Sequence, residues 1–98
     1  MDINMTRNGK ELTVEVIGRL DTVSAPGLQH KLKDEYNDTE KLIFELGKLD
    51  FISSAGLRVF AEAVDIMGNK GTVVFRNLTK AVRSVFNVTG LIDVFIIE

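Results

Sequence analysis

Two adjacent hydroxyls stand mid-chain in the stretch D-F-I-S-S-A-G-L-R, Asp50 to Arg58. A strand-like apolar run breaks on Ser53 and Ser54, small residues follow, and a helical pattern begins. Hydroxyls at such a junction can cap a helix, attack an electrophile or accept a modification. A serine nucleophile needs a base beside it and usually an acid to orient that base. His30 is the only histidine, in mid-helix between Gln29 and Lys31, where a solvated role is expected. The G-x-S-x-G elbow of serine hydrolases is absent, because these serines precede Ala55-Gly56. There is no P-loop, no G-x-G-x-x-G and no cluster with metal-ligand spacing, so no cofactor is expected. Asp34-Glu35 and Asp38-Glu40 read as a solvated helix end and its loop. Capping accounts for one serine, since a hydroxyl accepting from an early helical N–H contributes about 1 kcal/mol. Gly56 in the first turn costs roughly 1 kcal/mol relative to alanine, which makes sense if something approaches the backbone there closely.

The elements around this junction follow from periodicity. Asn8-Gly9 lies between two short alternating segments, a strong hairpin signal. Leu12, Val14 and Val16 alternate with Thr13, Glu15 and Ile17 as a strand that stops at Gly18. The loop R-L-D-T-V-S-A-P-G then feeds a helix with Ser24 as N-cap and Pro26 in its first turn. Leu28, Leu32 and Tyr36 give that helix its apolar stripe, and Asn37-Asp38 ends it. Leu42 to Leu46 is nearly continuous in apolar residues, as in a strand covered on both faces. The serine junction opens a second helix reaching about Met67, and Thr72 to Phe75 is the next strand. Thr79 caps a third helix that Gly90 terminates, and Val94 to Ile97 is the last strand. Alternating strands and helices predict an α/β fold, one mixed sheet with parallel strands in its centre and helices in βαβ crossovers. Loops beyond the carboxyl ends of such strands carry function. Asp21 and the serines should therefore share one end of the sheet, and approach each other if their strands are neighbours.

Composition narrows the classes. The 98 residues support a single domain, 1–98, and 45% apolar content can fill its core. There is no cysteine, hence no disulfide framework and no thiolate metal site. A net charge of −2 with dispersed signs argues against nucleic-acid binding or a polybasic membrane patch. The N-terminus lacks the apolar core of a signal peptide, and no run approaches the roughly 18 residues that span a bilayer. A soluble, cytoplasmic, monomeric protein is expected.

Three pieces carry a resemblance over nearly the whole chain: V-E-V-I-G-R-L-D-T-V-S-A, L-G-K-L-D-F-I-S-S-A-G-L-R-V-F and N-L-T-K-A-V-R-S-V-F-N-V-T-G-L-I-D-V-F. Together they resemble the STAS domain family, and within it the anti-sigma factor antagonists. The resemblance implies a partner-binding module and no enzyme. Family members bind an anti-sigma factor that is also a serine kinase, and so release a sigma factor. The kinase phosphorylates one serine at the start of the second helix, which breaks the complex, and a serine phosphatase reverses the step. By position that serine is Ser54, with Ser53 the alternative, and Asp21 matches the aspartate beside it. Many phosphorylated members have Asp-Ser-Ser or Asp-Ser-Thr where this chain has Ser53-Ser54-Ala55. Many relatives also add a helix beyond the position of Glu98.

The partner face is expected to include Asp21, Thr22, Ser53, Ser54, Ala55, Gly56, Arg58 and Val59. Val59 and Ile66 widen the apolar stripe of the second helix beyond the ~100° that core packing needs. They either serve a broad core contact or, with Arg58, edge a docking surface. Gly56 and Ala55 would let a partner approach the backbone. Two other readings stay open: a STAS subunit of a transporter or sensory scaffold without phosphorylation, and a nucleotide site at the same loops.

Overall fold

Alternation makes the N-terminal hairpin. In the computed structural model, which describes residues 1–98, β1 (Asp2–Asn8) and β2 (Glu11–Leu20) pair antiparallel from Asp2↔Ile17 to Asn8↔Glu11. Gly9 and Lys10 are left to turn the chain, one position later than the Asn8-Gly9 signal suggests. Leu12, Val14 and Val16 are buried, and the residues between them point to the other face. β2 does not stop at Gly18. A bulge between Gly18 and Arg19 shifts the register, and the strand runs on through Leu20.

The next helix, α1 (Ala25–Lys33), buries Ala25, Leu28 and Leu32. Tyr36 keeps the buried phase but lies outside the helix, in a 3-10 turn over Tyr36–Asp38. The Arg7 guanidinium of β1 gathers this segment. It pairs with Glu35 at 2.8 Å and donates to the Asp38 carbonyl and to Thr39 Oγ1, both at 2.9 Å. One cation holding three groups within five residues enforces a turn tighter than another α-helical one.

β3 (Lys41–Glu45) lies parallel to Glu11–Glu15 of β2. A turn closed by the Leu49 N–H on the Leu46 carbonyl leads into a separate strand, β4 (Leu49–Ile52), parallel to Gly18–Leu20 of the same β2. Then follow α2 (Ser54–Met67), β5 (Thr72–Arg76), α3 (Lys80–Thr89) and β6 (Ile96–Ile97). The sheet order is β1-β2-β3-β5-β6, with β4 on β2, and every pair except β1–β2 is parallel. This is the mixed, centrally parallel α/β sheet that the sequence predicts. The last strand is shorter than expected. After Gly90 closes α3, Leu91–Asp93 forms a 3-10 turn: the Gly90 carbonyl accepts from the Asp93 N–H, and the Leu91 carbonyl from those of Val94 and Phe95. That leaves Ile96 and Ile97 to register with β5.

All three helices bury their apolar stripes in one cluster on one face of the sheet. Ile43 and Val74 are also buried, yet they lie outside that cluster, as pleating to the opposite face requires. β3 is thus shielded on both faces without a helix on each. Five of the six phenylalanines hold the layers together, with ring centroids 4.7 Å apart for Phe44–Phe60, 4.5 Å for Phe75–Phe95 and 5.8 Å for Phe75–Phe86. No helix is long and apolar enough to cross a membrane.

One backbone crossing tolerates no side chain. A Cβ on Gly71 would fall 1.9 Å from the Glu40 carbonyl oxygen, and that oxygen is held in place by the Thr72 N–H at 2.9 Å. Gly71→Ala should therefore lower the unfolding free energy by about 3 kcal/mol or more. Gly27→Ala in α1, where a Cβ meets nothing within 4 Å, should instead add up to about 1 kcal/mol through helix propensity. Denaturant unfolding of the two variants checks the contrast.

Candidate functional site

β2 and β4 are adjacent and parallel, with Arg19 opposite Phe51 and Leu20 opposite Ile52. The ladder ends on the Ser53 N–H, which donates to the Leu20 carbonyl at 2.9 Å. The chain leaves both strands at this edge, through Asp21 on one side and into α2 on the other. Strand pairing thus puts Asp21 and the serine pair at the same end of two neighbouring strands.

The two serines divide their tasks. Ser53 has extended backbone; its hydroxyl accepts from the Gly56 N–H at 3.4 Å and its carbonyl from the Leu57 N–H at 3.0 Å. That makes it the N-cap. Ser54 is the first helical residue, exposed, with its hydroxyl outside the cap. No acidic residue occupies the first turn of α2, so the positive helix end is unopposed within its own helix. Arg58, one turn on and exposed, shares the Ser54 face.

Gly56 answers to a different neighbour than expected. It is buried, and a Cβ there would stand 2.7 Å from Leu20 Cγ and 2.9 Å from Ile52 Cγ1. What approaches its backbone is the core of its own chain, so partner access does not explain this glycine. Val59, expected at the edge of a docking surface, is 5% exposed and belongs to the core cluster. The broad stripe of α2 is mostly core contact; Ile66 alone of that pair stays open, at 40%.

Asp21 caps the approach to α1. Its Oδ1 accepts from the backbone N–H of Val23 at 3.1 Å and of Ser24 at 3.0 Å, and its carbonyl accepts from the Ala25 N–H. In return the Ser24 hydroxyl accepts from the Asp21 N–H at 2.9 Å and donates to the Arg19 carbonyl. Ser24 does take the expected N-cap position, but with helical φ and ψ, and its hydroxyl caps no helical N–H. The capping box has simply begun three residues earlier, because a carboxylate two and three positions before those N–H groups outcompetes the hydroxyl. The Ser24 N–H does most to hold the Asp21 carboxyl below its ordinary value of 3.8; desolvation opposes it, and the Ser24 hydroxyl, the Val23 N–H and Arg19 add to the lowering.

Between the starts of α1 and α2 lies a cavity of about 230 Å³, bordered by the exposed Thr22 and Arg58, by Ala25 and Pro26, by the half-buried Ala55 and by the buried Val59. Two residues join this end of the sheet that lie within the stretches quoted above but carry no expected role. The Arg19 guanidinium sits 4.1 Å over the ring of Phe51 and 3.9 Å from the Asp21 carboxylate. Phe51, the one phenylalanine outside the core, is 37% exposed. Alternation was the available signal: with Ile52 inward, Phe51 must point out.

Asp21→Ala should lower the thermal midpoint near neutral pH, contrary to a purely partner-facing role. Because the folded-state value is depressed, this stabilisation is complete above the ordinary carboxylate range and is lost as pH falls through the folded value. The gap from the wild type should therefore close in acid. Asp21→Asn, which keeps an acceptor oxygen, should recover part of the loss at neutral pH. Unfolding curves at both pH values check this.

The STAS domain model matches residues 2–98. BtrV of Bordetella bronchiseptica is 31% identical over 97 residues, covering 97% of this chain and 84% of that protein. The anti-sigma-B factor antagonist of Bacillus subtilis is 26% identical over 95 residues, covering 96% and 87% respectively. Among solved structures, the Bacillus anti-sigma factor antagonist SpoIIAA superposes at a TM-score of 0.86 in its unphosphorylated form, at 17% identity, covering 99% of this chain and 88% of that one. Its phosphorylated form superposes at 0.79, at 16% identity over 99% and 91%. With strand order, capped second helix and sequence match all in agreement, this chain belongs to the STAS domain family.

Proposed function

We propose that this protein is an anti-sigma factor antagonist that works by partner switching. Unphosphorylated, residues 1–98 act as one monomeric cytoplasmic domain that binds an anti-sigma factor kinase and frees its sigma factor. Phosphorylation of Ser54 ends the complex, and a serine phosphatase restores it. The single observation that carries this reading is the division between the serines: Ser53 fills the cap while Ser54 stays exposed on the first helical residue. The relatives' names and the phosphorylated form of SpoIIAA support it.

The chemistry is that of a local charge change. A phosphate adds about −1.5 to −2 charges. At Ser54 it would meet the positive end of a 14-residue helix, with Arg58 a turn away. The fold tolerates it there. A partner docked against Thr22, Ala55 and Arg58 would instead face a new, strongly hydrated anion beside the Asp21 carboxylate. Binding is lost through repulsion and desolvation, while the protein stays folded. The function is binding; His30, the one conventional base, is exposed on α1 and borders a different cavity from the one beside Ala55.

The test begins with a pull-down from the native cytoplasm, with identification of the kinase and phosphosite mapping after incubation with ATP. Ser54→Ala should bind the kinase and ignore ATP. Ser54→Asp should stay within about 1 kcal/mol of wild-type stability yet bind at least about tenfold more weakly, a difference of about 1.4 kcal/mol. Ser53→Ala should still be phosphorylated and should lose roughly 1 kcal/mol of stability with its cap. Phosphate on Ser53 would move the switch by one residue; none on either serine, with kinase and ATP present, would end the reading.

A further inference from the structure

The space between α1 and α2 continues past the Ser54 end. A second cavity, of about 400 Å³, lies farther along the same two helices and is bordered by Pro26, His30, Lys33, Tyr36 and Ile66, with Gln29 and Glu62. Pro26 and Gln29 border the first cavity as well, so the two adjoin, and together they make up a trough between the helices. Gln29 Nε2 donates to Glu62 Oε2 at 2.8 Å and ties the helices together where the cavities meet.

The lining has a definite chemistry. Ile66 is exposed on a helix whose neighbouring apolar residues, Val59, Ala63 and Met67, are all in the core. Burial first, and the Glu62 charge second, push the Tyr36 phenol up to about 12, so its hydroxyl stays protonated. Fixed positive charge stands at both stations, Arg58 in the first cavity and Lys33 in the second. Glu62 is the one carboxylate bordering either, and it is already engaged by Gln29. An exposed isoleucine, a protonated phenol and two cations suit an extended segment that alternates apolar and acidic side chains.

We infer that this trough seats an acidic, apolar segment of the anti-sigma partner, running from the start of α2 past Gln29 to Lys33 and Ile66. The inference rests on the partner-switching reading above and extends its contact along α1. It also supplies the sign of the switch. A segment held by Arg58 and Lys33 is itself negative, so a phosphate on Ser54 would repel its near end while competing for Arg58.

The experiment titrates the purified kinase from the pull-down against the unphosphorylated protein and three variants. Lys33→Glu should weaken binding about tenfold or more, with a loss that shrinks at high salt, and Ile66→Gln should weaken it about threefold or more. Val88→Gln, on α3 at 85% exposure and bordering neither cavity, should bind as wild type. All three should keep the wild-type thermal midpoint. Lys33→Glu and Ile66→Gln both binding normally would overturn the inference, and if Ser54→Asp still weakens binding the switch survives without it. Trough variants that weaken binding while Ser54→Asp does not would leave the trough and end the switch. Concentration-dependent dimers abolished by Lys33→Glu would make the occupant a second copy and overturn the inference; a chain that captures no kinase would overturn both.

Discussion

Everything at the candidate site hangs on how closely α2 sits over the β2–β4 pair. Leu20 and Ile52 fill the space beneath the first turn, and only a residue without a Cβ leaves room for them. That contact sets the height of the helix start above the strand ends. The Ser53 N–H can then complete the ladder on Leu20, and Ser53 is left extended, in the conformation a cap requires. Ser54 follows outward by helical geometry. The exposure of one hydroxyl is thus a product of core packing two residues away.

The same economy governs the charges. The Asp21 carboxylate satisfies two N–H groups ahead of α1, and Arg19 stands between it and the Phe51 ring. Its negative charge is therefore held in place by its own helix approach, whether or not a partner is present. An anion arriving at Ser54 would enter a field that is already arranged, positive along the α2 axis and negative at the neighbouring loop. Groups fixed beforehand would need no reorganisation if Ser54 were phosphorylated as proposed.

Much of this was legible in the chain. The hairpin, the order of strands and helices, the Thr79 and Gly90 caps and the placing of Asp21 beside the serines follow from periodicity and punctuation. What was illegible depended on competition between equally plausible local choices. Ser24 and Asp21 can both cap; Ser24 takes the N-cap position but turns its hydroxyl back to Arg19, and the Asp21 carboxylate takes the free N–H groups. Gly18 looks like a strand end, but a bulge lets pairing with β4 carry β2 two residues further. Tyr36 keeps helical phase although Arg7, distant in sequence, has tightened the backbone beneath it. Gly56 and Val59 read as small or apolar residues beside an open helix face only when the strands below are unseen; with Leu20 and Ile52 in place both belong to the interior. The trough escaped notice altogether, since Lys33 and Ile66 have no common motif and meet only once two helices pack.

The Arg19–Phe51 and Leu20–Ile52 pairings join residues far apart in sequence, and they run parallel, so no tight turn can form them. Forming them closes a loop that contains both α1 and β3, and contacts of such long sequence separation are slow to form. The β1–β2 hairpin, by contrast, can zip locally. A partly folded chain could hold its hairpin and still lack the surface on which Ser54 is displayed. Display of that serine would then report that folding is complete, and a nascent or damaged chain would lack both the trough and the exposed Ser54 hydroxyl.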